Sequence, residues 1–246
     1  MLGFAPGLAK IHNRPPEKPQ RNPMPRTYDL VIFDCDGVLV DSEMLSARVL
    51  MGMMAEVDLP ITPEIFRSDF LGRSFAAAAA RAEERFQAKL PDGFQLKYRQ
   101  QLLACMQAEL KPMAGIGDLL ATMTVPFCLA TGSSPQRLAL SLQIAGLSNF
   151  FAGRAFTASE VKHGKPAPDL CLYAAARMQV DTSRCLVIED SEMGVRAAQA
   201  ANMQVWHFAG GAHIKAGYRL PDGVAASRVI ADMAELEIAF RENALC

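Results

Sequence analysis

Short apolar runs and longer stretches of helical period divide this chain. The first run, Leu30-Val31-Ile32-Phe33, is rich in branched residues and ends at Asp34, with Gly37 close behind, which predicts a buried strand. From residue 44 to about 110 the pattern turns helical. Ala, Met, Leu, Glu, Gln and Arg prevail there, punctuated at Pro60, Pro63, Gly72 and Pro91-Asp92-Gly93. Helices are predicted at 43–57, 63–70, 74–89 and 93–110, with no strand among them. The run Ala76 to Ala80 favours helix and reads as packing. Beyond Lys111-Pro112 strands return, at 125–130, within 150–159, and at 183–190, 203–208 and 227–230. Helices are predicted at 135–146, 168–180, 191–202 and 231–242. Pro135 in the first turn and Gly146 at the end frame the first of these.

Strands alternating with helices imply an α/β fold: a doubly wound, mostly parallel, Rossmann-like sheet covered on both faces. The helical block interrupts it after the first strand. The expected division is an α/β core of residues 27–41 and 111–246 with a small α-helical cap of residues 42–110 inserted. A length of 246 residues, half of them apolar, allows one large domain or two small ones.

The formal net charge of −1 points to neither nucleic acid nor an anionic membrane. Residues 1–26 differ from the rest. Lys10, Arg14, Lys18, Arg21 and Arg26 stand against Glu17 alone, and six prolines interrupt the segment. It reads as a disordered extension, with Met24 an alternative start, and fits targeting-peptide patterns poorly. No stretch carries 18 uninterrupted apolar residues. The six cysteines form no CxxC or metal-ligand spacing, so a reducing, cytoplasmic compartment is expected.

Four loops follow apolar strands or precede helices: Asp34-Cys35-Asp36-Gly37, Thr131-Gly132-Ser133-Ser134, His163 to Asp169, and Glu189-Asp190-Ser191. In a parallel sheet such strand ends open on one edge. Each loop alone has a plainer reading: a turn, a helix cap, a solvated loop, another cap. Together they assemble phosphoryl chemistry. Asp34 is an oxygen nucleophile, and Asp36 can protonate a leaving alkoxide and later deprotonate water. Asp34, Asp190 and the backbone carbonyl of Asp36 would ligate Mg²⁺, with Glu189 assisting directly or through water. Lys165 and Thr131 would bind phosphoryl oxygens. Gly37 and Gly132 would let backbone N–H groups approach, and Ser133 is placed with Gly132 on the substrate.

These motifs resemble the haloacid dehalogenase superfamily, in its β-phosphoglucomutase-like, sugar-phosphate phosphatase branch. Asp34, Asp36, Gly37 and Val38 match DxDG[TV], and Thr131 supplies the hydroxyl of the second motif. Lys165 within GKPAPD supplies the third, and Glu189-Asp190 within EDSxxG the fourth. The resemblance covers roughly residues 27 to 242. It implies a Mg²⁺-dependent phosphatase acting through an aspartyl-phosphate. An acid at position 36 implies phosphate-ester chemistry, because an alkoxide needs a proton to leave. Asp41-Ser42-Glu43 is typical of the branch's phosphatases. The resembling mutases carry a cap histidine where Ser46 stands, so hydrolysis is favoured over a mutase.

The stretches around FDCDGVLVDSE and VPFCLATGS are similar to bacterial phosphatases acting on phosphogluconate and related sugar acids. The family's specificity loop falls on Leu71-Gly72-Arg73-Ser74, which makes Gly72, Arg73 and Ser74 candidate substrate contacts. Arg73 would meet a carboxylate or hydroxyl, or is a surface arginine at a helix start. His213 lines the site mouth or, the favoured reading, is a plain surface histidine. The expected partner is a small phosphorylated molecule, and the chain a monomer or weak homo-oligomer. A catalytically silent binding module remains the alternative of another class.

Overall fold

The computed structural model describes residues 27–73, 75–214 and 217–246; the expected N-terminal extension and Ser74 lie outside them. Six strands form one sheet in the order β3-β2-β1-β4-β5-β6, and every pairing is parallel. They are β1 Leu30–Phe33, β2 Phe127–Thr131, β3 Ala155–Thr157, β4 Cys185–Glu189, β5 Gln204–Phe208 and β6 Arg228–Ile230. The chain first winds outward from β1 through β2 to β3, then returns to the other side of β1 with β4. Phe33 consequently pairs with both Leu129 and Ile188. This reversal opens a crevice at the carboxyl edge, where ligands bind in sheets of this kind.

Burial on both faces explains the uninterrupted apolar runs. Val31 and Phe33 face one core with Leu129, Ile188 and Phe208. That core is closed by α5 Ile116–Thr122, α6 Pro135–Ile144 and α9 Met233–Glu242. Leu30 and Ile32 face the opposite core with Cys128 and Val187, under α7 Asp169–Met178 and α8 Glu192–Ala200. Each fully buried Leu, Ile or Phe stabilises the fold by about 1.5–3 kcal/mol.

Between β1 and β2 lie α1 Glu43–Glu56, α2 Pro63–Ile65, α3 Phe75–Phe86 and α4 Phe94–Glu109. Leu50, Met53, Met54, Phe66, Phe70 and Phe94 form an apolar cluster of their own there. Leu102 and Met106 of α4 join the sheet-side core instead. The predicted helix 63–70 is an α-turn running into a π-helical turn, Phe66–Phe70, which stacks the two phenylalanines. The seven-residue helix α5 was not anticipated. Its length is too short to develop a periodic signal. All six cysteines are free thiols.

Candidate active site

The DxDG segment leaves β1 at the centre of the carboxyl edge. Gly37 turns the chain at φ +80°, and a Cβ there would fall 1.8 Å from Asp190 Oδ2. Only glycine lets the first loop lie this close to the fourth. β2 delivers Thr131, whose Oγ1 accepts from the Ser133 N–H at 3.1 Å. Ser134 caps α6 and Ser191 caps α8.

A cavity of about 440 Å³ collects these loops. Asp34, Asp36, Thr131, Gly132, Ser133, Lys165, Glu189 and Asp190 all line it, and so do Gly72 and Arg73. Phe66, Phe70, Phe75, Tyr98 and Leu102 supply an apolar wall from the helical block. Gly72 lies close to Ser191, where a Cβ would stand 2.7 Å from the serine hydroxyl. The loop after the π-turn therefore rests against the sheet edge. The buried Nε of Arg73 has no hydrogen-bond partner among the described residues.

Lys165 Nζ donates to Asp34 Oδ1 and Glu189 Oε2, both at 2.6 Å. Glu189 Oε1 accepts from the Ser191 hydroxyl at 2.7 Å and its N–H at 3.1 Å. Burial pushes Asp34 up to about 8; Lys165 opposes the rise, while Glu189 and Asp36 add to it. Burial also raises Asp190 well above the carboxylate range, reinforced by Glu189 and Asp34. Burial works against Glu189 too, but the Lys165 ammonium outweighs it and holds Glu189 low. Oxygens of Asp34, Glu189 and Asp190 lie within 4.8 Å of one another, all three residues buried. One ammonium does not balance three carboxylates this close, so the set retains protons or takes a cation. A hard divalent cation suits such an all-oxygen donor set.

Asp36 has different company. Oδ1 accepts from the Ser42 hydroxyl at 2.5 Å and from Arg137 Nη2 at 2.7 Å, and Oδ2 accepts from the Ser133 hydroxyl at 2.5 Å. Burial would raise this carboxyl, but Arg137 with the two hydroxyls outweighs it and holds Asp36 below the ordinary range. Ser133, expected on the substrate, thus grips Asp36. Ser42 stands at the N-cap of α1 but makes no side-chain cap bond, its hydroxyl being spent on Asp36.

Arg137 escaped the sequence, which marks Glu43 only as part of a branch motif and His213 only as a histidine of the site mouth or the surface. Arg137 lies in the first turn of α6 and reads there as a solvated helix charge. Glu43 is buried in the cavity wall, and burial, with Asp36, pushes it up to about 7. His213 is a correction to the surface expectation: it is buried, with Nε2 2.9 Å from Asp190 Oδ2. The Gly210-Gly211 signal before it marks a loop but not its direction. Ser74 falls outside the described residues.

Residues 28–202 match the haloacid dehalogenase-like hydrolase family. The chain is 27% identical over 198 residues to the 6-phosphogluconate phosphatase of Escherichia coli, covering 76% of this chain and 85% of that one. It is 29% identical over 181 residues to the phosphorylated carbohydrates phosphatase of Thermotoga maritima, covering 72% and 82%. Among solved structures, a haloacid dehalogenase-like protein of unknown function from Agrobacterium tumefaciens superposes with a TM-score of 0.76 at 33% identity, covering 88% and 99%.

Proposed function

The chain belongs to the haloacid dehalogenase-like hydrolases, and on that premise we propose that it hydrolyses a small sugar phosphate or sugar-acid phosphate, with Mg²⁺, through an aspartyl-phosphate. The observation that carries this is the convergence of Asp34, Asp36, Thr131, Lys165, Glu189 and Asp190 on one cavity. Two of the relatives are phosphatases of phosphogluconate and of phosphorylated carbohydrates. The apolar and aromatic wall opposite these residues supports reading residues 42–110 as a cap over the substrate.

In the proposed mechanism, an Asp34 carboxylate oxygen attacks phosphorus while the bond to the leaving oxygen breaks. The step needs Asp34 ionised and Asp36 protonated, the reverse of the order that the protein's own groups set. A cation beside Asp34 would favour its carboxylate, and a phosphoryl dianion beside Asp36 would raise the acid, which then gives its proton to that alkoxide. Asp36 then takes a proton from water, whose oxygen attacks the phosphoryl group and releases phosphate and the Asp34 carboxylate. Lys165 and Thr131 bind the phosphoryl oxygens as charge develops. Asp34, Asp190 and the Asp36 carbonyl would hold Mg²⁺, with Glu189 beside them. When bound, the cation neutralises the phosphoryl charge that would otherwise repel these carboxylates. Arg73, in the cavity wall with an Nε that has no partner among the described residues, would meet a carboxylate or hydroxyl of the substrate.

Hydrolysis is favoured over phosphoryl return. Ser46 stands where the mutases carry a histidine, and its hydroxyl is engaged by Arg137 at 3.1 Å. The test is phosphate release from a panel of sugar phosphates, sugar-acid phosphates and nucleotides, with Mg²⁺ or EDTA. Release that needs Mg²⁺ and disappears in Asp34→Asn is expected. Release that survives Asp34→Asn defeats the covalent mechanism, and no release from any ester defeats the phosphatase.

A further inference from the structure

Arg137 has no role in the chemistry above, yet it stands at the junction of everything that holds Asp36. Its placement runs against local preference. A cation in the first turn of a helix is opposed by the helix dipole. The guanidinium is largely buried, and its Nε has no partner among the described residues, an uncompensated cost for a charged donor. A purely stabilising position would be filled better by an apolar side chain.

What the residue gains is three oxygens around Nη2, which has only two hydrogens: Asp36 Oδ1 at 2.7 Å, Ser46 Oγ at 3.1 Å and Ser42 Oγ at 3.4 Å. Arg137 belongs to α6, on the sheet. Ser42 and Ser46 cap and begin α1, in the helical block. One nitrogen therefore ties the Asp36 carboxyl to both layers at once.

We propose that Arg137 is a positioning residue for Asp36, fixing the carboxyl group that must meet the leaving oxygen and making its placement depend on where α1 sits. This rests on the phosphatase reading, since it assigns a task to Asp36. The guanidinium holds Oδ1 from the α6 side. Oδ2 is left with the Ser133 hydroxyl, a contact for which a phosphoryl oxygen competes. A lysine at 137 would reach Oδ1 but offers a point charge without the planar fork.

The test compares two esters in Arg137→Ala and Arg137→Lys. Glucose 6-phosphate or 6-phosphogluconate, whichever the wild type turns over faster, leaves as an alkoxide that needs a proton. p-Nitrophenyl phosphate leaves as a stable phenolate that does not. With the sugar ester, Arg137→Ala is expected to lose roughly ten- to a hundredfold in kcat, part of the general acid contribution, with KM within about threefold. With the aryl ester it is expected to release a burst of one nitrophenolate per enzyme and then turn over slowly, because phosphoenzyme forms without the acid and waits for the base. Arg137→Lys is expected to show the same pattern with a smaller loss, and added guanidinium ion to restore part of the Arg137→Ala rate. Equal losses with both esters and no burst, or a rise in KM alone, overturn the proposal. If Arg137→Ala does not fold, Arg137→Lys decides by the same criteria, and wild-type behaviour of that variant overturns it as well. Where the wild type turns over neither sugar ester, the fastest ester of the panel above takes its place, and a wild type inactive on all of them and on the aryl ester overturns the phosphatase reading and this inference with it.

Discussion

Asp34 and Asp36 are two residues apart, yet their surroundings push them in opposite directions: Asp34 up to about 8 by burial against Lys165, Asp36 down by Arg137 and two hydroxyls despite burial. The proposed roles need the opposite order, Asp34 ionised and Asp36 protonated, so a bound cation and a phosphoryl group have to reverse what the protein's own groups set. Asp36→Asn is expected to lower kcat on an alkyl phosphate by roughly 10²–10⁴-fold, measured as phosphate release at saturating substrate. Glu43 offers a separate readout through stability. Its folded value of about 7 lies above the ordinary 4.5. The folded state therefore binds more protons between those values, and the associated stability, complete below 4.5, is lost as pH rises through about 7. Glu43→Gln should accordingly unfold at higher denaturant than wild type at pH 8, by about 1–3 kcal/mol, and equal it at pH 4. A gain of the same size at both pH values would contradict the assignment. At this scale the sequence was most legible where the residue type was itself the signal. Two acids around one residue at a strand end announce chemistry. Arg137 and His213 do not, because an arginine on a helix and a histidine in a loop are ordinary until their neighbours are known.

The elements position these groups through their ends. Ser191 caps α8 by accepting from the Gly194 N–H at 3.1 Å, and the same hydroxyl donates to Glu189. Asp232 caps α9 by accepting from the Glu235 N–H at 2.8 Å, away from the cavity. Alanine at either position should cost about 1 kcal/mol of stability. Only Ser191→Ala is expected also to lower kcat, since it frees one side of Glu189. Equal activity of the two variants would separate the cap from the site. Helix and strand positions were legible because their periods are local properties of the chain. The exceptions are also physical. α5 is two turns long, and the π-turn at Phe66–Phe70 keeps a helical composition while changing its hydrogen bonding.

For the whole molecule, the reversal of winding at β1 brings four loops, distant in sequence, to one crevice, and α1–α4 close its apolar side. Such a cavity should answer to ligand by mass action. Mg²⁺ with inorganic phosphate should stabilise the protein by about 2–3 kcal/mol at a hundredfold excess over Kd, read as a rise in Tm that EDTA reverses. No rise with either would leave the carboxylate cluster without a cation role. Arg73→Ala is expected to reorder the substrate panel, lowering kcat/KM for sugar-acid phosphates more than for neutral sugar phosphates. An unchanged order would reduce Arg73 to a wall residue.

The sequence alone determined the strands, most of the helices, the order of the four motif loops, and hence the α/β architecture, while the family entered through the resemblance those motifs carry. These follow from short-range periods and from residue types whose chemistry is costly to place together without a use. Only the tertiary structure decided who holds whom: Arg137 on Asp36, Ser133 turned to the same carboxyl, His213 buried against Asp190, and Gly72 resting on Ser191. Each is a contact between segments far apart in the chain. Its existence depends on side-chain direction and on distances of a few ångströms, which no local pattern encodes.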